Sequence, residues 1–145
     1  MCASAYREAR RTTDAIALYE QVLADCERLL GSDHPDTLAT RGRLGGAYRD
    51  AGRLVEAIVF HKQALADRVR MLGIDHPDTL RGRSSLANDY REAGRTTEAS
   101  ALHEQVLADQ VRVLGNDHPD TLKTRGNLAS DYHAARTVRA TDSDQ

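Results

Sequence analysis

The chain has 145 residues, with 20 basic and 22 acidic side chains and a formal charge of −2, a balance that gives nucleic acid or anionic lipid no global electrostatic hold. Cys2 and Cys26 lack metal-type spacing and cannot build a secreted disulfide framework in a chain of this length. No apolar run approaches the ~20 residues of a membrane span and no signal-peptide pattern follows Met1, so a soluble, cytoplasmic protein with no membrane partner is expected.

Aromatics are scarce, and all three prolines fall inside one phrase, Asp-His-Pro-Asp-Thr-Leu, at 33–38, 75–80 and 117–122, an interval of 42 residues. Laying 33–74 over 75–116 gives 24 identities in 42 positions without a gap, and a period in this range means stacked units rather than a closed globule. The register extends outward on both sides: Tyr6, Tyr48, Tyr90 and Tyr132 share one column, and Asp25, Asp67 and Asp109 another.

In chain order, residues 1–31 read as a partial unit. It holds a truncated first helix, then a second helix with Asp14 in its first turn, closed by Gly31. Residues 32–73 are the first full unit. Its Pro35 suits the first turn of a helix, and the residue before a proline is pushed out of helical geometry, so His34 or Asp33 is the expected N-cap. Asp36 then meets the positive end of the helix dipole. Leu38, Leu44, Ala47, Tyr48 and Ala51 form a helical stripe, and a second stripe follows at Ala57, Ile58, Phe60, Ala64, Leu65, Val69 and Leu72. Gly52 between them supplies the left-handed residue of a C-terminal cap, and Gly73 closes the second helix. Residues 74–115 repeat this hairpin, with Gly94 and Gly115 as punctuation. Residues 116–136 form one more first helix, and 137–145, without an apolar stripe, are expected to fray. Arg10 and Arg136 replace the corner glycine, a change expected to loosen or reshape those two corners by about 1 kcal/mol. The expected fold is all-α, with about seven helices, the first truncated.

Leu44-Gly45, Tyr48, Gly52, Ala57, Phe60 and Ala64-Leu65 resemble the tetratricopeptide repeat, as do Leu86-Ala87, Tyr90, Gly94, Ala99 and Val106-Leu107. The 42-residue spacing is similar to the kinesin-light-chain type of that repeat, found also in bacterial signalling proteins, often after a nucleotide-binding ATPase domain. The resemblance implies a right-handed α-solenoid of stacked antiparallel hairpins, a non-catalytic scaffold that takes a protein or peptide in its concave groove. The ligand-contacting columns of the family, transferred position by position, fall on Ser4, Arg7 and Glu8; on Ala39, Gly42, Gly46, Arg49 and Asp50; on Arg81, Ser84, Asn88, Arg91 and Glu92; and on Lys123, Gly126, Ser130 and His133. Among these, Arg7, Arg49, Asp50, Arg81, Ser84, Asn88, Arg91, Glu92, Lys123, Ser130 and His133 are the expected groove residues.

Arg7, Arg49, Arg91 and His133 make a basic ladder beside an acidic one of Glu8, Asp50 and Glu92. Either the two neutralise each other as surface pairs, each contributing ~0–1 kcal/mol, or Arg49, Arg91 and Asn88 hold an extended peptide. Arg41, Arg83 and Arg125 form a further column, expected to lay aliphatic stems over a neighbouring repeat with their heads in solvent.

No catalytic constellation is legible. One histidine per repeat at His34, His76 and His118 is too widely spaced for shared coordination, since stacked helices stand ~8–10 Å apart. Asp33, His34 and Asp36 of a single copy would be the remaining metal set. His61 and His103 are expected to pack between helices. No nucleophile elbow or phosphate-cradling glycine loop is present, and the groove lacks the aromatics that RNA stacking needs. No enzyme activity, cofactor, metal or nucleic-acid partner is expected. The alternative function is a spacer or self-assembly segment of a larger ATPase-type regulator, because Cys2 and Ala5 offer no polar cap for the first unit. End-to-end self-association or attachment to a longer chain would follow.

Overall fold

The structure, a computed structural model, describes the backbone of residues 2–143 and the side chains of 8–137. Six α-helices and no strand occur among the described residues: α1 (Cys2–Leu30), α2 (Pro35–Asp50), α3 (Leu54–Leu72), α4 (Pro77–Glu92), α5 (Thr96–Leu114) and α6 (Pro119–Ser143). Two compact units divide the chain, residues 1–71 with α1 to α3 and residues 72–145 with α4 to α6.

The expected seven helices are six because α1 does not turn at Arg10. Each real corner carries a glycine at positive φ, 76° at Gly52 and 81° at Gly94, a region that costs an L side chain roughly 1–2 kcal/mol. Where Arg stands in that column the backbone stays helical instead. At the N-terminal site the Thr12 and Thr13 hydroxyls also donate to the carbonyls of Glu8 and Ala9, at 2.9 and 3.0 Å. The same substitution at Arg136 lets α6 continue to Ser143. Losing the glycine therefore merges or extends helices rather than loosening a corner.

Every residue of the repeated phrase has a structural task. His34 is the N-cap of α2, with φ −65° and ψ 140°, and its Nδ1 accepts the N–H of Asp36 at 3.1 Å. His76 and His118 accept from Asp78 and Asp120 at the same 3.1 Å. The proline follows at the first helical position, where an N–H is not needed. Thr37 donates its hydroxyl to the Gly31 carbonyl at 2.8 Å, tying the end of α1 to the start of α2. Leu38 is buried. An N-cap contributes about 1 kcal/mol, so His76→Ala is expected to lower stability by about that amount in thermal unfolding, while His76→Asn, which keeps a side-chain acceptor, should recover most of it.

The remaining residue of the phrase, Asp33, belongs to an ion cluster. Arg70 Nη2 donates to Asp33 at 2.6 Å and to Asp67 at 3.2 Å, and Arg41 Nη1 donates to the other oxygen of Asp67 at 2.5 Å. Arg41 also reaches Glu27, at 3.1 Å. The second unit repeats the pattern: Arg112 to Asp75 at 2.7 Å and to Asp109 at 3.3 Å, with Arg83 to Asp109 at 2.7 Å. The guanidinium of Arg70 holds the Asp33 carboxyl below the ordinary aspartate range. The expectation that Arg41 and Arg83 keep their heads in solvent is corrected, since their side chains are 10% and 9% exposed and bound to carboxylates of the facing helix. Arg125 differs, donating to the carbonyl and side chain of Asn116.

In the first unit Ile16, Leu23, Leu44, Ala47, Tyr48 and Ala57 form the core, with Tyr19 and Phe60 packed against it. Burial, and then the Tyr48 hydroxyl's bond to Glu20, push that phenol up to about 12. Arg53 and Arg95, directly after the corner glycines, lie over the Tyr48 and Tyr90 rings at 4.7 and 4.5 Å, a cation–π contact that fixes each corner. His61 is buried, with Nε2 3.3 Å from the Gly42 carbonyl, and a Cβ at Gly45 would lie 2.7 Å from its ring. In the second unit Leu80, Leu86, Ala87, Ala99 and Val106 are buried, and α5 packs against both α4 and α6.

Candidate functional site

The expected groove residues do not behave as one set. In the first unit Gly42 and Gly46 present no side chain, and a Cβ at Gly46 would meet nothing within 4 Å. Asp50, with Arg43 and Gly46 of α2 and Arg11, Thr12 and Tyr19 of α1, lines a shallow cleft of about 340 Å³. Arg49 is half-buried beside it. The Arg7 side chain lies outside the described residues.

The second unit gathers more of the set. Arg81, Ser84 and Asn88 of α4 face Lys123 of α6 across a cleft of about 140 Å³, joined by Ser85, Gln110, Asp120, Thr124 and Asn127. Four expected residues thus share one cavity, and helical geometry explains why. Arg81, Ser84, Ser85 and Asn88 are spaced by three or four along α4, as Asp120, Lys123, Thr124 and Asn127 are along α6, so each set forms one ridge. Two acceptors in this cleft, Asn88 Oδ1 and Gln110 Oε1, are buried without a hydrogen-bond partner. Buried polar atoms normally find partners, and leaving one unpaired costs about 1–3 kcal/mol. At the rim the Arg81 guanidinium bonds Asp78 and stands 3.9 Å from Asp120, while Lys123 is exposed.

Arg91 is committed elsewhere. Its Nη1 donates to the Asn127 carbonyl at 3.0 Å and to Asp131 Oδ1 at 3.2 Å, and His103 Nδ1 bonds the other oxygen of Asp131. Both His103 and Asp131 are fully buried. This triad fastens α4 and α5 to α6 and so sets the width of the cleft. Glu92, Ser130 and His133 are exposed. The Ser130 hydroxyl donates back to the Gly126 carbonyl at 3.1 Å, inside its own helix.

Sequence reasoning missed Gln110, Asn127 and Asp131. Gln110 occupies a column shared with Cys26 and Arg68, where the repeat carries no common chemistry. Asp131 left a usable signal, an acid shared with Asp89 in a buried column that holds Ala47 in the first unit. Among the described residues no group of three His, Cys, Asp or Glu side chains converges as a metal site would require, and each phrase histidine spends its Nδ1 on a helix cap. No helix is long and apolar enough to cross a membrane among the described residues.

Two family profiles, both described as tetratricopeptide repeat, match residues 3–68 and 79–120. No curated protein matches the sequence. Among solved structures, the chain is similar to a kinesin-light-chain-like protein of Podospora anserina with nearly identical TPR-like repeats, at 34% identity and TM-score 0.79 over 96% of this chain, and to a single-substitution variant of that protein with the same values. The chain spans 66% of the length of those two proteins. A further similar fold, at 19% identity and TM-score 0.75, is BtubC (BKLC) from P. vanneervenii, over 92% of this chain and 53% of that one.

Proposed function

The chain belongs to the tetratricopeptide repeat family, and from that premise we propose that it is a non-catalytic scaffold whose second unit takes an extended, acidic peptide or partner segment. Repeats of this family are protein–protein interaction modules. The observation that carries the reading is the polar cleft that Arg81, Ser84 and Asn88 of α4 and Lys123 of α6 line together. An extended peptide brings backbone donors and acceptors to such a polar lining, and Lys123 at the rim supplies a cation for a carboxylate. Because α4, α5 and α6 are already fastened by Arg91, His103 and Asp131, little protein freedom is lost on binding, which favours a preformed trough.

A peptide array enriched in Asp and Glu, followed by titration of the selected peptide, tests this. Wild-type binding should weaken as salt rises, and Asn88→Ala combined with Lys123→Ala should raise Kd by about tenfold or more, as one lost charge-assisted contact predicts. An unchanged Kd in the double variant would move the site off this cleft. A second reading, a spacer or self-assembly segment of a larger ATPase-type regulator, is favoured by the apolar surface that α1 and α6 leave open, including Leu18, Val22, Leu122 and Tyr132.

A further inference from the structure

The columns of the repeat can be compared residue by residue between helices that have a hairpin partner and helices that do not. On α2 and α4 two columns are closed: Leu38 and Leu80 are 5% and 0% exposed, Tyr48 and Tyr90 5% and 9%, with the Tyr48 ring on Phe60 of α3 and its hydroxyl on Glu20 of α1. The same columns on α6 are open, with Leu122 at 52% and Tyr132 at 50%, the Tyr132 hydroxyl held by Glu104 of α5 and its ring left accessible. The opposite face of α6 is sealed by its packing on α5, where Thr121, Thr124 and Asp131 are buried.

The second half of α1 shows the converse. It holds the columns of α3 and α5, yet Val22 is 45% exposed where Ala64 and Val106 are 1% and 0%. Leu18 is 61% exposed. Since α1 runs straight through Arg10, its first residues do not fold back as the missing helix of a hairpin. Among the described residues, then, no helix covers the Leu122 face of α6 or the Val22 face of α1.

The charges on these faces match as well. In both complete hairpins an Arg of the first helix grips an Asp of the second, Arg41 with Asp67 and Arg83 with Asp109. In both, an Asp ahead of the first helix takes an Arg one turn further on, Asp33 with Arg70 and Asp75 with Arg112. On α6 the corresponding groups are Arg125 and Asp117, and on α1 they are Asp25 and Arg28. The pair on α1 is exposed, bonded to each other at 3.3 Å with 57% and 68% exposure. Their spacing of three residues is that of Asp67 and Arg70, and of Asp109 and Arg112, so both bonds can form in one docking pose.

We propose that the open face of α6 binds the second half of α1 of another copy of this chain, completing a hairpin between molecules. Arg125 exchanges Asn116 for Asp25 of the second copy, Asp117 takes its Arg28, and Leu122 and Tyr132 close over its Val22 and Leu18. This contact is head-to-tail and can propagate, because the two faces differ. The inference deepens the self-assembly reading above by naming the partner and the bonds, and is independent of peptide binding in the Asn88 cleft.

Light scattering on the 145-residue chain under reducing conditions, over a concentration series, tests it. The mass should rise above the 16.0 kDa of one chain as concentration increases. Asp25→Arg alone and Arg125→Asp alone should each return the chain to monomer mass. The chain carrying both reversals re-creates the pair with its signs exchanged and should assemble again. Circular dichroism of the three variants should match the wild type, since both positions lie on exposed faces. A chain that stays monomeric up to its solubility limit overturns the proposal, as does assembly indifferent to the single reversals, or a double reversal that fails to restore it. Peptide titration of the same variants keeps the two readings apart, because neither residue lines the Asn88 cleft.

Discussion

Asp131→Ala is expected to cost the second unit about 3–5 kcal/mol, the range for breaking a buried charge pair by removing one partner. Asp131 is fully buried, with Arg91 on one oxygen and His103 on the other. Removing it leaves the Arg91 guanidinium with the Asn127 carbonyl and strands the buried His103 imidazole at the meeting of α4, α5 and α6. The His103 ring has little room to adapt, because it is itself fully buried and its Nε2 already lacks a partner. Asp131→Asn, of the same shape and with one acceptor left, should cost less than the Ala variant. Urea unfolding gives the loss, and hydrogen exchange should place it first in the amides of α6. Retention of wild-type stability in Asp131→Ala would show that the buried triad contributes nothing net.

Arg83→Ala should remove about 2–3 kcal/mol, between a charged hydrogen bond and a fully buried pair, because Arg83 is 9% exposed and its partner Asp109 29%. The pH dependence separates the ion pair from lost packing. Bonding by Arg83, then by Arg112, holds the Asp109 carboxyl below its ordinary value. A group depressed on folding contributes its stability above the unfolded value, near ~3.9 for Asp, and loses it as pH falls through the folded value. The gap between wild type and Arg83→Ala should therefore stay constant from neutral pH down to about 5 and narrow as pH falls below the aspartate range. A gap that persists unchanged into strong acid would assign the whole effect to the buried aliphatic stem.

Much of the fold was legible because its punctuation is local. The glycine columns, the proline after a capping histidine and the two apolar stripes each depend on a few neighbouring residues. The helix bounds at Pro35, Pro77 and Pro119 follow from them directly. What escaped depends on partners 26 to 40 residues away. A surface-type Arg such as Arg41 looks the same in sequence whether its head meets water or Asp67. The corner at Arg10 failed for a related reason: a missing glycine was read as a weaker turn, whereas the peptide there also had a continuous helix open to it. In the candidate cleft, Asn88 and Ser84 stand in columns that the family resemblance picks out. Gln110 does not, because it lines the cleft from α5 and those columns lie on first helices alone.

The ion clusters of Asp33, Arg41, Asp67 and Arg70, and of Asp75, Arg83, Asp109 and Arg112, each lie wholly inside one 42-residue period. A gene segment encoding one period therefore carries its own fastening. Slippage or unequal recombination between the 42-residue periods can change copy number while each retained copy brings this cluster with it. Arrays of differing length among kin are the expected evolutionary signature.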